Sequence, residues 1–325
     1  MIESWLKDSH YPKAAFGKLF CLGETQTGPF QIGGMRFGPR KNAMWDSFPA
    51  SGFFYPREAT TLAALPPETP LRFTAKTNLS SSFFALFDAF KESSQLQKAV
   101  ISHVTVLEPV LAKDLLGHLY HRNGRFFAYM PDENHIFCGN SPELLFEREG
   151  TRYIVEAVAG TCRIGNEPLL MQSLKDREEF QYVLDFLVER TGGKPEFHTP
   201  QIKHAGNVSH LYNRVVFEGA GSDDAWISRL HPTPALAGIP QKEATEWLFR
   251  NEPHDRGWYG APFGIRSDAK TTLAVAIRSF LLTPDALYAF SGAGCTQKST
   301  PQLEWEEIML KVFQGGLHGN PCPTR

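Results

Sequence analysis

KAVISHVTVL (98–107), RFFAYM (125–130), HIFCGN (135–140), RYIVEAVAG (152–160), TTLAVAIRSFLL (271–282) and ALYAFSG (286–292) decide the fold. They are long runs rich in β-branched and aromatic residues, and helical patterns at about 109–120, 173–190, 240–250 and 301–313 are interleaved with them. Strands joined mainly by short turns, with helices gathered into blocks, predict an α+β fold of large antiparallel sheets backed by helices. Outward from this block, residues 1–95 carry short aromatic-rich segments (FGKLFCLG, SGFFYP, LRFTAKTNLSSSFFALF) broken by Gly and Pro. That texture predicts strands and loops with one helix near 83–92. No Gly/Ser-rich, Pro-rich or single-charge run interrupts the middle, so 1–95 and 96–317 are expected to form one compact unit.

Composition narrows the function classes. Lys plus Arg 33 against Asp plus Glu 35 leaves a net charge of -2, so no global basic field recruits nucleic acid or an anionic membrane. The opening MIESWLKDSH has no basic n-region followed by an apolar h-region, and no stretch reaches the roughly 18 apolar residues of a span. A cytoplasmic protein is expected. Cys21, Cys138, Cys162, Cys295 and Cys322 are scattered without a C-x-x-C pair and are expected to be reduced thiols. Gly292-Ala293-Gly294 lacks the third glycine of a dinucleotide fingerprint, there is no phosphate-binding G-x-x-x-x-G-K-[ST], and His118/His121 has no partners for zinc.

A few residues are hard to explain as packing. In helix 173–190, with Ser173 as N-cap, Phe180, Val183, Leu184 and Leu187 form the buried stripe, and Glu179 lies on its border, a snorkelling rim carboxylate or an inward-facing acid. The last helix, with Thr300 before Pro301, is apolar around most of its surface, yet Glu304, Glu307 and Lys311 share one narrow arc. They form either a self-satisfied i,i+4 pair or the wall of a polar cavity. In TTLAVAIRS, alternation puts Arg278 on one face with Ala274 and Ala276, leaving room for a carboxylate or for a structural ion pair. Lys98 begins a strand whose same face carries Val100, Ser102 and Val104, as a solvated edge charge or as an amine over apolar surface, where burial favours the neutral base.

These residues fall in segments that resemble, in order and spacing, the chorismate-utilising family of isochorismate, salicylate, anthranilate and aminodeoxychorismate synthases. The matching pieces are KAVISH (98–103), SPELLF (141–146), AVAGT (157–161), KDREEF (175–180), LHPTPALAGIP (230–240), EPHDRGWYGAPFG (252–264), AVAIRS (274–279), SGAG (291–294) and EWEEIMLK (304–311). The resemblance implies two antiparallel sheets packed face to face with helices outside, the part before Lys98 being abridged and 96–317 forming the chorismate-binding catalytic region.

Position by position, it implies that Lys98 deprotonates the attacking water and that Glu143 protonates the departing 4-hydroxyl. Burial, reinforced by the carboxylates of Glu179 and Glu307, would keep Glu143 protonated. Glu179 and Glu307 match magnesium ligands, with Glu304 beside them. Arg278, Lys311, Thr161 and the backbone of Gly292, Ala293 and Gly294 match substrate-binding positions, and His231 matches a histidine lining the ring. Chemically, an allylic hydroxyl leaves poorly unless protonated and water attacks poorly unless deprotonated, while a dianionic substrate beside carboxylates calls for a hard cation.

LHPTPA is typical of the isochorismate and salicylate members, and Lys98 stands where amine-forming anthranilate-type members have Gln. Conversion of chorismate to isochorismate is therefore the expected activity, with no glutaminase partner. A salicylate synthase is one alternative, and a weakly active or non-catalytic chorismate-binding protein, motivated by the short region before Lys98 and by departures from the pattern at His103 and Phe180, is another. Arg163 also stands one place earlier than is common after the AGT loop. The pathway served, menaquinone or siderophore, stays open.

Overall fold

The computed structural model describes residues 2–39, 42–61, 71, 73–76 and 80–312. The expected ends at 313 and 317, Cys322 and part of LRFTAKTNLSSSFFALF lie outside the described residues. The fold is α+β, with two large antiparallel sheets. One has nine strands in the order Gly238–Ile239, Lys98–Leu107, Leu287–Thr296, Ser279–Leu282, His135–Ser141, Arg125–Asp132, Lys13–Phe16, Leu19–Thr25 and Tyr55–Thr61. The other has eight, counting Gln201–Ala205, which pairs beside the path Lys194–Pro195, Val208–Glu218, Arg152–Arg163, Leu144–Glu149, Lys270–Val275, Pro262–Arg266 and Gln31–Gly34. The N-terminal strands are woven into both: Lys13–Phe16 pairs with Arg125–Asp132, and Gln31–Gly34 with Pro262–Arg266.

Strand alternation sorts side chains between the layers. In RFFAYM, Phe127 and Tyr129 face the second sheet, where Phe127 meets Phe263 with ring centroids 5.1 Å apart, whereas Phe126, Ala128 and Met130 face outward toward the helix Ala112–Tyr120. On Arg152–Arg163, Tyr153, Val155 and Ala157 join the core under the helix Leu174–Thr191, which supplies Phe180, Val183, Leu184 and Leu187. Ser173 caps that helix by accepting the Asp176 amide at 3.2 Å, and Gly192, at φ 66°, ends it. The helices Ser80–Glu92 and Pro301–Val312 pack with Ala99, Ile101, Ala293 and Cys295 on the outer face of the nine-stranded sheet.

TTLAVAIRSFLL reads as one strand in sequence, but the structure breaks it. Lys270–Val275 belongs to the second sheet and Ser279–Leu282 to the first, and residues 276–278 carry the chain across. The pattern hides the crossing because both halves are buried. Two short helices that the apolar pattern did not reveal, Glu167–Gln172 and Asp223–Leu230, complete the second sheet's outer side. The final helix is also less enclosed than its composition suggests, since Leu303 is exposed. Among the described residues no helix is long and apolar enough to cross a membrane, and the described cysteines Cys21, Cys138, Cys162 and Cys295 are unpaired.

Phe263 is fully buried between the sheets against Phe16, Phe127 and Trp258. Phe263→Ala should therefore destabilise the chain by about 3–5 kcal/mol in denaturant unfolding; a loss below about 1 kcal/mol would mean that the layers are held elsewhere.

Candidate active site

Between the sheets, at the ends of the helices Leu174–Thr191 and Pro301–Val312, lies a cavity of about 710 Å³ including its mouth. Its wall includes Glu143, Thr161, Glu179, His210, Arg278, Gly292, Gly294, Glu307 and Lys311. Three backbone irregularities aim these side chains inward. At AVAGT the pairing between Arg152–Arg163 and Val208–Glu218 shifts register around Ser209 and Leu211, and Gly160 takes φ 67°. Such a bulge needs glycine, and it turns Thr161 toward the cavity. Arg278, at φ 54°, sits at the crossing between the sheets rather than on a strand face. At Ser141-Pro142-Glu143 the chain turns between strands, pinned where the Ser141 hydroxyl accepts the Glu143 amide at 3.2 Å and the Val275 amide donates to the Glu143 carbonyl at 3.1 Å.

The carboxylates are matched by lysines. Lys98 Nζ lies 3.0 Å from Glu179, Lys175 Nζ 2.5 Å from Glu304, and Lys311 Nζ 2.5 Å from Glu307 and 2.8 Å from the Gly292 carbonyl. Burial opposes ionisation of Glu307, but Lys311 and Lys175 outweigh it and hold this carboxyl below its ordinary range. Burial, with Glu307 beside it, lifts Glu304 to about 7. Glu143 is different: burial pushes it up to about 8, and the charge that adds to the shift is Glu156, in place of the expected Glu179 and Glu307.

Arg278 is partly buried with its Nη1 enclosed, and desolvation draws its guanidinium down to about 10, so it stays charged at neutral pH. Its Nη2 donates to His210 Nε2 at 3.0 Å, while its Nη1 is buried without a hydrogen-bond partner. Because arginine only donates, His210 Nε2 must accept, which places the ring proton on Nδ1 facing the Gly160 carbonyl at 2.9 Å. Burial, then Arg278, lowers His210 to about 3, so the ring stays neutral.

Four candidates stand off the wall. Lys98 is no edge charge: it is fully buried behind Glu179. Glu304 is turned to Lys175. Ala293, by alternation between Gly292 and Gly294, faces the outer core. His231 packs edge-on against Phe37 at 5.3 Å, not against the cavity. Sequence reasoning missed His210, Tyr259, Arg256 and Glu156. Tyr259 and Arg256 belong to the recognised EPHDRGWYGAPFG segment, where Arg256 donates to the carbonyls of Val100 at 2.6 Å and Leu236 at 2.7 Å. Glu252, beneath it, accepts from Ser102 and Arg256. His210 and Glu156 sit in strands whose polar alternation looks like ordinary solvent-facing residues.

A family model described as "Chorismate binding enzyme" matches residues 75–314. This chain belongs to the chorismate-binding enzyme family. It is 34% identical over 206 residues to the chloroplastic isochorismate synthase of Catharanthus roseus, covering 58% of this chain and 35% of that protein. It is 32% identical over 250 residues to the isochorismate synthase MenF of Pasteurella multocida, covering 68% and 57%. The chain thus spans about a third to somewhat over half the length of these two relatives. In fold it is similar to the menaquinone-specific isochorismate synthase of Escherichia coli, with TM-score 0.81 at 21% identity, covering 95% of this chain and 89% of that one.

The departures from the chorismate-binding pattern leave the cavity wall intact. His103 is buried edge-on against Trp305, with ring centroids 5.0 Å apart, and Phe180 lies in the helix core. Arg163 ends its strand exposed.

A Cβ on Gly294 would lie 2.0 Å from Glu179 Oε1 and 3.0 Å from Lys98 Cε. Gly294→Ala should therefore expel the Glu179 carboxylate from its place and cost about 1–3 kcal/mol. A crystal structure of the variant with Glu179 unmoved would show that this glycine is not required for the pair.

Proposed function

We propose that this chain is an isochorismate synthase, which adds a water-derived hydroxyl at C2 of chorismate and expels the 4-hydroxyl. The observation that carries the proposal is Glu143, a buried carboxyl kept in its acid form on the wall of the cavity that also holds Arg278 and Lys311. A hydroxyl leaves as water when such an acid protonates it. The unpartnered Nη1 of Arg278 suits a substrate carboxylate, since a buried donor of this kind is rarely left unsatisfied. Lys98, ion-paired with Glu179 immediately behind the wall, matches the family's base for the attacking water. The relatives' function supports the same reaction.

Among the described residues no three His, Cys, Asp or Glu side chains form a ready-made metal cluster. Magnesium nevertheless suits the donor set, because it is commonly held by one or two carboxylates with substrate and water supplying the rest. Glu179 and Glu307 would hold it, with Glu304 behind, and when bound it would supply the positive charge that a substrate carboxylate needs. Lys311, bonded to the Gly292 carbonyl, would grip the substrate's other carboxylate together with Arg278, and Thr161 lies beside Glu307.

Chorismate incubated with the protein and magnesium should yield isochorismate by chromatography. Salicylate with pyruvate would make it a salicylate synthase, and unconsumed chorismate would leave a binding protein. Glu143→Gln should slow turnover roughly 10²–10⁴-fold with chorismate binding retained. The acid must be protonated, so kcat/KM should be full below about pH 8 and fall as pH rises through it; an alkaline limb unchanged in Glu143→Gln would assign the acid to another group.

EDTA should abolish turnover and magnesium restore it. Independently of turnover, Glu307→Gln should weaken magnesium binding about tenfold or more by calorimetry. Full activity in a chelated sample would exclude the metal.

A further inference from the structure

On the strand Arg152–Arg163, Glu156 is a buried carboxylate to which neither the resemblance nor the proposed reaction gives a task. Its Oε2 accepts the backbone amide of Leu144 at 2.9 Å, the residue directly after Glu143. The same oxygen receives Lys203 Nζ at 2.8 Å and lies 3.6 Å from Arg125, while Oε1 accepts the Tyr212 hydroxyl at 3.3 Å. A buried acid with two cations and a hydroxyl around it adds little stability over an apolar residue packed in its place, so its contact with a neighbour is the feature to explain. The neighbour is Glu143. A backbone bond one residue away fixes the turn from which its side chain springs, and a like charge close by favours its protonated form.

We propose that Glu156 is the positioning residue for Glu143, holding the Ser141-Pro142-Glu143 turn through the Leu144 amide and keeping a negative charge beside the Glu143 carboxyl. The proposal deepens the isochorismate synthase assignment and rests on it for the meaning of Glu143. The groups that face Glu143 are Glu156, Lys203, Lys98 and Lys311, with Arg278 and Tyr259 also within electrostatic reach. Glu156 is the only one of the first four that opposes ionisation of Glu143; the three lysines favour it. Removing the Glu156 charge leaves Lys203 and Arg125 unopposed, so Glu143 should release its proton more readily.

Glu156→Gln keeps an oxygen for the Leu144 amide and deletes the charge. It should move the alkaline limb of kcat/KM down by roughly one pH unit or more, with little change in KM. Lys203→Met should move the limb up, since Arg125 remains to hold Glu156 ionised. Titration of the Glu143 carboxyl carbon in ¹³C-glutamate-labelled protein, assigned by difference from Glu143→Gln, should show the same two opposite shifts without any turnover. A parent protein inactive on chorismate would thus sink the proposed function while the titration still judges Glu156. A Glu143 midpoint unmoved in Glu156→Gln, or lowered in Lys203→Met, overturns the proposal. If Glu156→Gln does not fold, the Lys203→Met arm decides alone.

Discussion

Buried charge is the constraint on which the rest of this structure depends. Glu179, Glu304 and Glu307 reach the same region from two helices, and each is met by a lysine from a different place: Lys98 from the nine-stranded sheet, Lys175 from the helix Leu174–Thr191, and Lys311 from the last helix. Burial works against the charge on Lys175, yet the carboxylates of Glu304, Glu179 and Glu307 raise its proton affinity above that of an ordinary lysine. Deleting one partner of such a pair leaves the other charge uncompensated, commonly at a cost of about 3–5 kcal/mol. The Lys98–Glu179 pair therefore also ties the helix Leu174–Thr191 to the sheet, and the Lys175–Glu304 pair ties it to the last helix. Gly294 shows how tight the arrangement is, since the Glu179 carboxylate occupies the space a side chain would need.

The sheets supply rigidity, and the chemistry is placed where their regularity stops. Gly160 marks a bulge, Arg278 a crossing between sheets, and Glu143 a turn between strands. Arg278 is the only non-glycine residue with positive φ among those described, and a left-handed backbone at such a residue costs of order 1 kcal/mol or more. Its bonds hold it there: its carbonyl accepts the Asn140 amide at 3.2 Å and its guanidinium donates to His210. Pairing on both flanks of each deviation keeps it local, so a side chain is re-aimed while the layers stay in register.

How much of this could be seen in the sequence follows from what each signal depends on. Strand alternation and helix periodicity are local, so the α+β class, the Ser173 cap and the place of Glu179 on the border of the buried stripe were readable, while the choice between rim and interior needed the packing. Glu307 and Lys311 were readable as a pair on one helix arc, and the structure shows that the self-satisfied pair and the cavity wall are the same residues. The crossing at 276–278 was not readable, because an apolar run looks alike in one buried strand or two. The real depth of Lys98 depends on Gly238–Ile239 pairing outside its strand, a contact some 140 positions away. His231 and Ala293 were carried over from family motifs, and only packing could reveal that one turns to Phe37 and the other to the outer core. His210 and Glu156 were passed over because a polar residue in an alternating strand signals solvent as readily as an interior site.

The same packing gives chemically identical groups different states. Glu143 and Glu307 both line one cavity, and desolvation alone would raise the proton affinity of both. Glu307 has Lys311 bonded to it and Lys175 nearby, so it is held as an anion. Glu143 has no cation bonded to it, has Glu156 as a neighbour, and retains its proton to about pH 8. A carboxyl that keeps its proton and a carboxylate that keeps its charge are thereby separated by the placement of lysines, with no difference in side-chain chemistry. Glu304 lies between these limits at about 7, bonded to Lys175 but repelled by Glu307. The protonation state of each of these acids thus depends on which lysine reaches which carboxyl, and that is set by helix register and by the glycines that let the helices approach the sheet.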